Sequence, residues 1–169
     1  MAAPPWWLEE AWPCGDQLAV ILSSEIAREE AERAILSAGE NSEPRTVEIP
    51  TTYNGPDLLS SAELLGLAAS AFVELHASTA YTCVAVGFSP GFGYLEALPP
   101  ELRGLARLPS PRSHVPAGSV AIAGDRTAVY PLDRPGGWRL IGRTELPMVD
   151  VGAGLFRVRV GDLVRFVPA

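Results

Sequence analysis

Ser89 stands in Gly87-Phe88-Ser89-Pro90-Gly91. This is the spacing of a nucleophile elbow, where a serine on a sharp turn attacks an acyl carbon and the next backbone N–H steadies the oxyanion. Here the next residue is Pro90, which has no N–H. Between Ser89 and the one later histidine, His114, there is no aspartate, only Glu96 and Glu101, so the triad order fails too. What the loop offers instead is glycine alternating with aromatic rings. Its glycines allow close backbone approach, and Phe88, Phe92 and Tyr94 supply a wall for a ligand or another protein chain, or a seal for a core.

Two further strings carry polar groups. In Pro111-Arg112-Ser113-His114-Val115-Pro116-Ala117-Gly118-Ser119, prolines stiffen a loop that presents Arg112 and enters a strand at Ser119. Arg112 is a candidate fork for carboxylate or phosphate, or a donor to nearby loop carbonyls. In Asp133-Arg134-Pro135-Gly136-Gly137-Trp138, proline then glycine fits a type II hairpin turn with Trp138 turned inward. Alternation along the strand that follows sets Arg139, Ile141 and Arg143 on one face, which suggests a pocket or an interface. His76 falls on an apolar helix face, either as a core histidine with one hydrogen-bond partner or as a general base. Cys83 reads as a small buried hydrophobe.

All 13 basic residues of the 169 are arginine. A P-loop, a Schiff base, and biotin or lipoyl attachment all need a lysine, so none can reside on this chain. Two cysteines make no disulfide framework, and with two histidines and no Cys-x-x-Cys no metal site is expected. Residues 1–100 hold 14 acids and 3 arginines, whereas 101–169 hold 6 acids and 10 arginines. The basic back suits an anionic small molecule or an acidic partner, while its scattered arginines do not form a nucleic-acid stripe. The first residues lack the basic n-region and long apolar run of a signal peptide, and no later stretch reaches membrane length. A cytoplasmic setting is expected, with no membrane partner.

These groups need elements to hold them. Leu18 to Leu22 reads as a strand, followed by a helix capped near Ser24 and ended at Gly39, then a short strand at Val47 to Ile49. Gly55-Pro56-Asp57 starts a helix carrying Leu58, Leu59, Ala62 and Leu65, and a second short helix carries Phe72, Val73 and His76. From Tyr81 onward the pattern is β. Between Gly87 and Gly137 lie 16 of the chain's 32 glycines and prolines, separating apolar runs at 119–123, 126–131, 138–144 and 155–167. That rhythm indicates a compact all-β barrel or sandwich.

Taken together, Gly55-Pro56-Asp57-Leu58, His76 before Tyr81, GFSPGFGYL at 87–95, PRSHVPAGSVAIAG at 111–124, YPLDRPGGWRLIGRT at 130–144 and GDLVRF at 161–166 resemble a known family. It is subunit 1 of the allophanate-hydrolase-like proteins, which includes the Kip-type histidine-kinase inhibitor and the B-type subunit of ATP-dependent 5-oxoprolinase. The resemblance implies a mainly β protein with an α/β N-terminal part: a cyclophilin-like β-barrel over residues 51–169 behind an α/β lobe over 1–50. That lobe is expected to be shortened, since Gly39 is followed almost at once by the Val47 strand. The resemblance also implies two partners, a carboxyltransferase-like C-type subunit and an A-type subunit of the LamB/YcsF kind. It further implies 5-oxoproline as substrate, and ATP bound with the partner subunits.

Carried over by position, the catalytic candidates are His76, Arg112 and Arg143. The substrate-binding candidates are Phe88, Phe92, Tyr94, Ser119 and Trp138. The expected activity is that of a non-autonomous component of an ATP-dependent amidohydrolase. Opening an unactivated lactam would go through phosphorylation of its amide oxygen, and Arg112 and Arg143 would stabilise the anion. The alternative is a regulatory protein that binds and inhibits a sensor kinase. Direct allophanate hydrolysis ranks below both, because the chain offers neither a nucleophile with an oxyanion hole nor a catalytic lysine.

Overall fold

The computed structural model describes residues 8–14, 17–22, 44–150 and 155–169. Strands β1 (Leu8–Cys14) and β2 (Gln17–Leu22) form an antiparallel hairpin. Then come β3 (Thr46–Thr51), α1 (Leu58–Leu64), α2 (Ala69–Ser78), β4 (Ala80–Val86) and β5 (Gly93–Glu96). After a 3-10 turn at Pro100–Leu102 the chain continues through β6 (Arg112–Val115), β7 (Ser119–Ala123), β8 (Arg126–Val129), β9 (Arg134–Gly136) and β10 (Arg139–Arg143). It ends with β11 (Val149–Asp150), β12 (Leu155–Phe156) and β13 (Leu163–Pro168).

Seven strands form one sheet in the order β10-β7-β8-β5-β4-β13-β3, antiparallel throughout except where β13 lies parallel to β3. The two ends of that order meet. Thr52, one residue past β3, donates its N–H to the Arg143 carbonyl at 2.8 Å and accepts the Arg143 N–H at 2.8 Å. The sheet thereby closes on itself as a barrel, which removes the open edges that a flat sheet would expose.

Two glycines make the seam possible. A Cβ at Gly55 would stand 2.3 Å from the Leu140 carbonyl oxygen, and one at Gly142 would stand 2.8 Å from the Thr52 oxygen. Neither contact leaves room for a side chain, so Gly55-Pro56-Asp57 lies flat along β10. Asp57 then serves the barrel more than the helix. Its carboxylate makes no cap bond to α1; one oxygen accepts the Leu140 N–H at 2.7 Å and the other accepts Arg112 Nη2 at 2.7 Å.

Alternation gives the wall two apolar faces. Ile49, Tyr81, Cys83, Leu95, Val120, Ile122, Val129, Ile141, Val164 and Phe166 fill the interior and meet Leu58, Ala62 and Phe72 of the helices. On the outside, Phe92, Ala121, Ala123, Ala128, Tyr130, Trp138 and Leu140 form a second cluster with Val115 of the β6–β9 ribbon. All five residues of β7 are buried as a result.

The mainly β barrel expected from the turn rhythm is the architecture found, and the strands of the back half fall close to the expected runs. Several local expectations need correcting. Pro135-Gly136 is no type II turn: Arg134–Gly136 is strand β9, paired with β6, and Gly136 lacks the positive φ that such a turn needs. Arg139 and Arg143 do not share a face. A register shift between Leu140 and Gly142 inserts one residue into β10, so Arg139 pairs with Ile122 while Arg143 pairs with Ser119, a residue of the opposite parity on β7. The run at 155–167 is two strands separated by a turn at Gly161, whose φ is +89°.

The helix expected between Ser24 and Gly39 lies outside the described residues. The main sheet begins at Thr46, before the expected division at residue 51. Among the described residues no single helix is long and apolar enough to cross a membrane.

Candidate functional site: an aromatic pocket on the outer face of the barrel

The outer cluster does not close over completely. At its margin a pocket of about 260 Å³ is walled by Phe88, Phe92, Tyr94 and Trp138, floored by Tyr130, and rimmed by Arg107, Pro111 and Pro135-Gly136-Gly137. Chain geometry converges these distant residues. Phe92 comes from the turn between β4 and β5, Tyr94 from β5, Tyr130 from the residue after β8, and Trp138 from the residue before β10.

The rings interlock edge to face. Phe92 has its centroid 5.1 Å from Tyr94, 5.3 Å from Tyr130, 5.6 Å from Trp138 and 5.2 Å from Phe88. Such contacts contribute on the order of 1 kcal/mol each beyond area burial, so the walls are held rather than floppy.

Phe88 is an exception to the burial. It is 59% exposed at the pocket mouth, and its φ of +68° is in the left-handed region that favours glycine. The loop that forces it there is closed by Gly87 N–H to the Phe92 carbonyl and Phe92 N–H to the Ser89 carbonyl, both at 3.0 Å. Holding a phenylalanine in that conformation costs roughly 1–2 kcal/mol, which the loop bonds must offset. Ser89 itself is buried, with no hydrogen-bond partner for its hydroxyl among the described residues.

Tyr130 reaches its position only because residue 136 is glycine. A Cβ there would stand 2.2 Å from the Tyr130 hydroxyl. Burial pushes the Tyr130 phenol up, while the Trp138 backbone amide and the Arg107 and Arg112 guanidiniums hold back part of the rise. Arg107 lies over the Trp138 ring, its Cζ 6.0 Å from the centroid. A second cavity of about 290 Å³ shares Tyr94, Arg107 and Trp138 with the first and is bounded on its far side by Arg126. That guanidinium is already engaged, donating to Glu96 Oε1 at 2.6 and 3.0 Å while its Cζ stands 5.9 Å from the Tyr94 centroid.

The structure brings Phe88, Phe92, Tyr94 and Trp138 together. It does not bring His76, Arg112, Ser119 and Arg143 into the pocket's lining.

His76 is 0% exposed and sits inside the barrel against Tyr81 and Phe166. Its Nε2 is 2.9 Å from Thr127 Oγ1, and that hydroxyl donates onward to the Ala121 carbonyl at 2.9 Å. Nε2 therefore carries the proton, and Nδ1 accepts from the Tyr53 hydroxyl at 2.8 Å. Burial pushes this imidazole down to about 3, so it stays neutral. Ser119 Oγ donates to the Pro116 carbonyl at 2.7 Å. Arg112 donates from Nη2 to Asp57 while its buried Nη1 has no hydrogen-bond partner among the described residues, and Arg143 pairs on the surface with Glu145 at 3.1 Å.

Sequence reasoning missed Arg107, Tyr130, Gly136 and the barrel role of Asp57. Arg107 sits in Leu105-Ala106-Arg107-Leu108-Pro109 with no periodicity to mark it. Asp57 was masked by a good capping context. Among the described residues no group of three or more His, Cys, Asp or Glu side chains is placed to hold a metal ion. The pocket offers no nucleophile paired with a base. It can seat a flat, small, largely apolar group and little else by itself.

The family described as carboxyltransferase domain, subdomain C and D, matches residues 14–154. The B-type subunit of 5-oxoprolinase from Escherichia coli O157:H7 is 48% identical over 130 residues, which cover 75% of this chain and 59% of that protein. The chain thus spans about three-fifths of that relative's length. The crystal structure of TTHA0988 superposes with a TM-score of 0.84 at 40% identity, covering 99% of this chain and 34% of that one. The crystal structure of the conserved uncharacterized protein PH0987 from Pyrococcus horikoshii gives a TM-score of 0.67 at 35% identity, covering 98% of this chain and 80% of that one.

Proposed function

Because the chain belongs to the family of carboxyltransferase domains, subdomain C and D, we propose that it is the B-type subunit of a 5-oxoprolinase complex that opens 5-oxoproline to glutamate at the expense of ATP. The observation that carries this reading is the aromatic pocket. It is small, ring-walled and free of acidic groups, as a planar five-membered lactam requires. The Escherichia coli relative, which bears the 5-oxoprolinase name, supports the substrate class.

A lactam amide is stabilised by resonance, and its carbonyl carbon is a poor electrophile at neutral pH. Transfer of a phosphoryl group from ATP to the amide oxygen, with release of ADP, removes that resonance. Water then adds to the activated carbon, the ring C–N bond breaks with the nitrogen leaving as the amine, and the acyl phosphate that remains is hydrolysed to glutamate and phosphate. This chain's part is to hold the ring. Phe92, Tyr94 and Trp138 wall it in, Phe88 shields the mouth from bulk water, and Tyr130 offers a hydroxyl at the floor. The lining holds a single formally charged side chain, Arg107, too few cations to clasp a triphosphate. ATP binding therefore belongs with the partners, a carboxyltransferase-like C-type subunit and a LamB/YcsF-like A-type subunit, in a cytoplasmic assembly.

The test is ATP-dependent release of glutamate from 5-oxoproline by the three co-expressed proteins, with and without Trp138→Ala in this chain. Loss of turnover with the complex still assembled is the expected result. Unchanged turnover would remove the pocket from the reaction.

A further inference from the structure

The pocket has a polarity that its aromatic character hides. Of the ten residues that line it, none is acidic and Arg107 is the only one with a formal charge. Two neighbouring arginines already have carboxylate partners. Arg112 is held by Asp57 at 2.7 Å through Nη2, its buried Nη1 has no hydrogen-bond partner among the described residues, and it does not line the pocket; Arg126 is held by Glu96 at 2.6 Å. Arg107 has no carboxylate partner among the described residues and only the Trp138 ring beneath it, 6.0 Å from Cζ to centroid. Stacking on an aromatic face steadies a guanidinium while leaving its edge N–H donors free for a planar two-oxygen acceptor. A lone cation at the lip of an apolar pocket, pre-oriented and unspent, is complementary to a ligand with a flat ring at one end and a carboxylate at the other.

We infer that Arg107 is the specificity-determining residue of this pocket, reading the carboxylate of a small cyclic acid whose ring lies within the aromatic walls. The inference deepens the proposed function, rests on the pocket being the ligand site, and reassigns anion recognition away from Arg112 and Arg143. Arg126 is the internal control. It stacks on Tyr94 much as Arg107 stacks on Trp138, but Glu96 already occupies its donors.

The experiment measures dissociation constants for the full chain by ligand-observed NMR and tryptophan fluorescence. The probes are 5-oxoproline, 2-pyrrolidinone as the ring without the carboxylate, and acetate as the carboxylate without the ring. A charge-assisted hydrogen-bond pair predicts that 5-oxoproline binds about ten-fold or more tighter than 2-pyrrolidinone. Arg107→Ala is expected to bring the two within about two-fold of each other, while Arg126→Ala preserves the preference. Arg107 is exposed, so its replacement leaves the fold intact, checked by circular dichroism.

A preference that survives Arg107→Ala, or that falls equally with Arg126→Ala, overturns the inference. If 5-oxoproline does not bind, benzoate, 2-furoate and proline are tested in its place. Arg107-dependent binding of any of them upholds the inference and sinks the 5-oxoproline reading. Failure of all of them sinks the inference as well.

Discussion

Thr52 and Arg143 exchange both backbone hydrogen bonds at 2.8 Å, and this pair joins the two ends of a seven-stranded sheet into a barrel. The contribution of Arg143 lies in its main chain. Its guanidinium reaches only Glu145, at 3.1 Å, with the two side chains 54% and 87% exposed.

Arg143→Ala should therefore change stability by about 0.5 kcal/mol or less, since exposed ion pairs contribute little. Gly55→Ala, one step along the same seam, should cost about 2–3 kcal/mol or more, because its Cβ has no room beside the Leu140 carbonyl. Urea denaturation midpoints check both, and a costly Arg143→Ala beside a mild Gly55→Ala would refute this account of closure.

Arg112 and Asp57 tie the β6–β9 ribbon to the start of α1 and to β10. Removing the guanidinium leaves a largely buried carboxylate with only the Leu140 N–H. Arg112→Ala should destabilise the protein by about 1–3 kcal/mol. Arg112→Ala with Asp57→Asn should recover part of the loss, which a double-mutant cycle measures directly. An Arg112 acting only on a ligand would leave stability unmoved.

His76 makes stability depend on acid. Its ordinary pKa of 6.5 falls to about 3 in the folded protein. Between those values the unfolded chain takes up a proton that the folded chain refuses. Stability is thus full above pH 6.5 and declines as pH falls, by up to about 1.4 kcal/mol per pH unit from this group. Comparing urea midpoints of wild type and His76→Gln from pH 7 to 4 isolates the contribution, because the carboxylates common to both cancel. The His76 ring resonances should also show no titration between pH 5 and 8, and a titration there would place this histidine in contact with solvent.

Gly136→Ala should push the Tyr130 hydroxyl out of its place, since the added Cβ falls 2.2 Å from that oxygen. A loss of about 1–3 kcal/mol is expected. Tyr130→Phe in the same background removes the colliding atom and should restore much of the stability while leaving the floor without its hydroxyl. No restoration would mean that the clash is relieved elsewhere.

The barrel was legible because its signals are local. Turn residues space the apolar runs, and β7, β8 and β10 fall where those runs predicted. The aromatic half of the site was legible for the same reason, as GFSPGFGYL keeps Phe88, Phe92 and Tyr94 together in sequence. The charged half was not. Whether Arg107, Arg112, Arg126 or Arg143 is free depends on Asp57, Glu96 and Glu145, and Asp57 lies 55 residues from Arg112. The extra residue in β10 also hid the true faces of Arg139 and Arg143, because one inserted residue inverts every alternation argument beyond it.

The shared wall of β7 and β8 has a genetic consequence. Val120, Ile122, Thr127 and Val129 look into the barrel, while Ala121, Ala128 and Tyr130 look toward the pocket side. Neighbouring codons thus report different phenotypes, the inward ones through how much folded protein survives and the outward ones through what that protein will hold. A library across 119–130 scored for both abundance and ligand capture should split by parity within each strand, with even positions inward in β7 and odd positions inward in β8, and the outer layer could be retuned to a new ring without rewriting the instructions for the barrel.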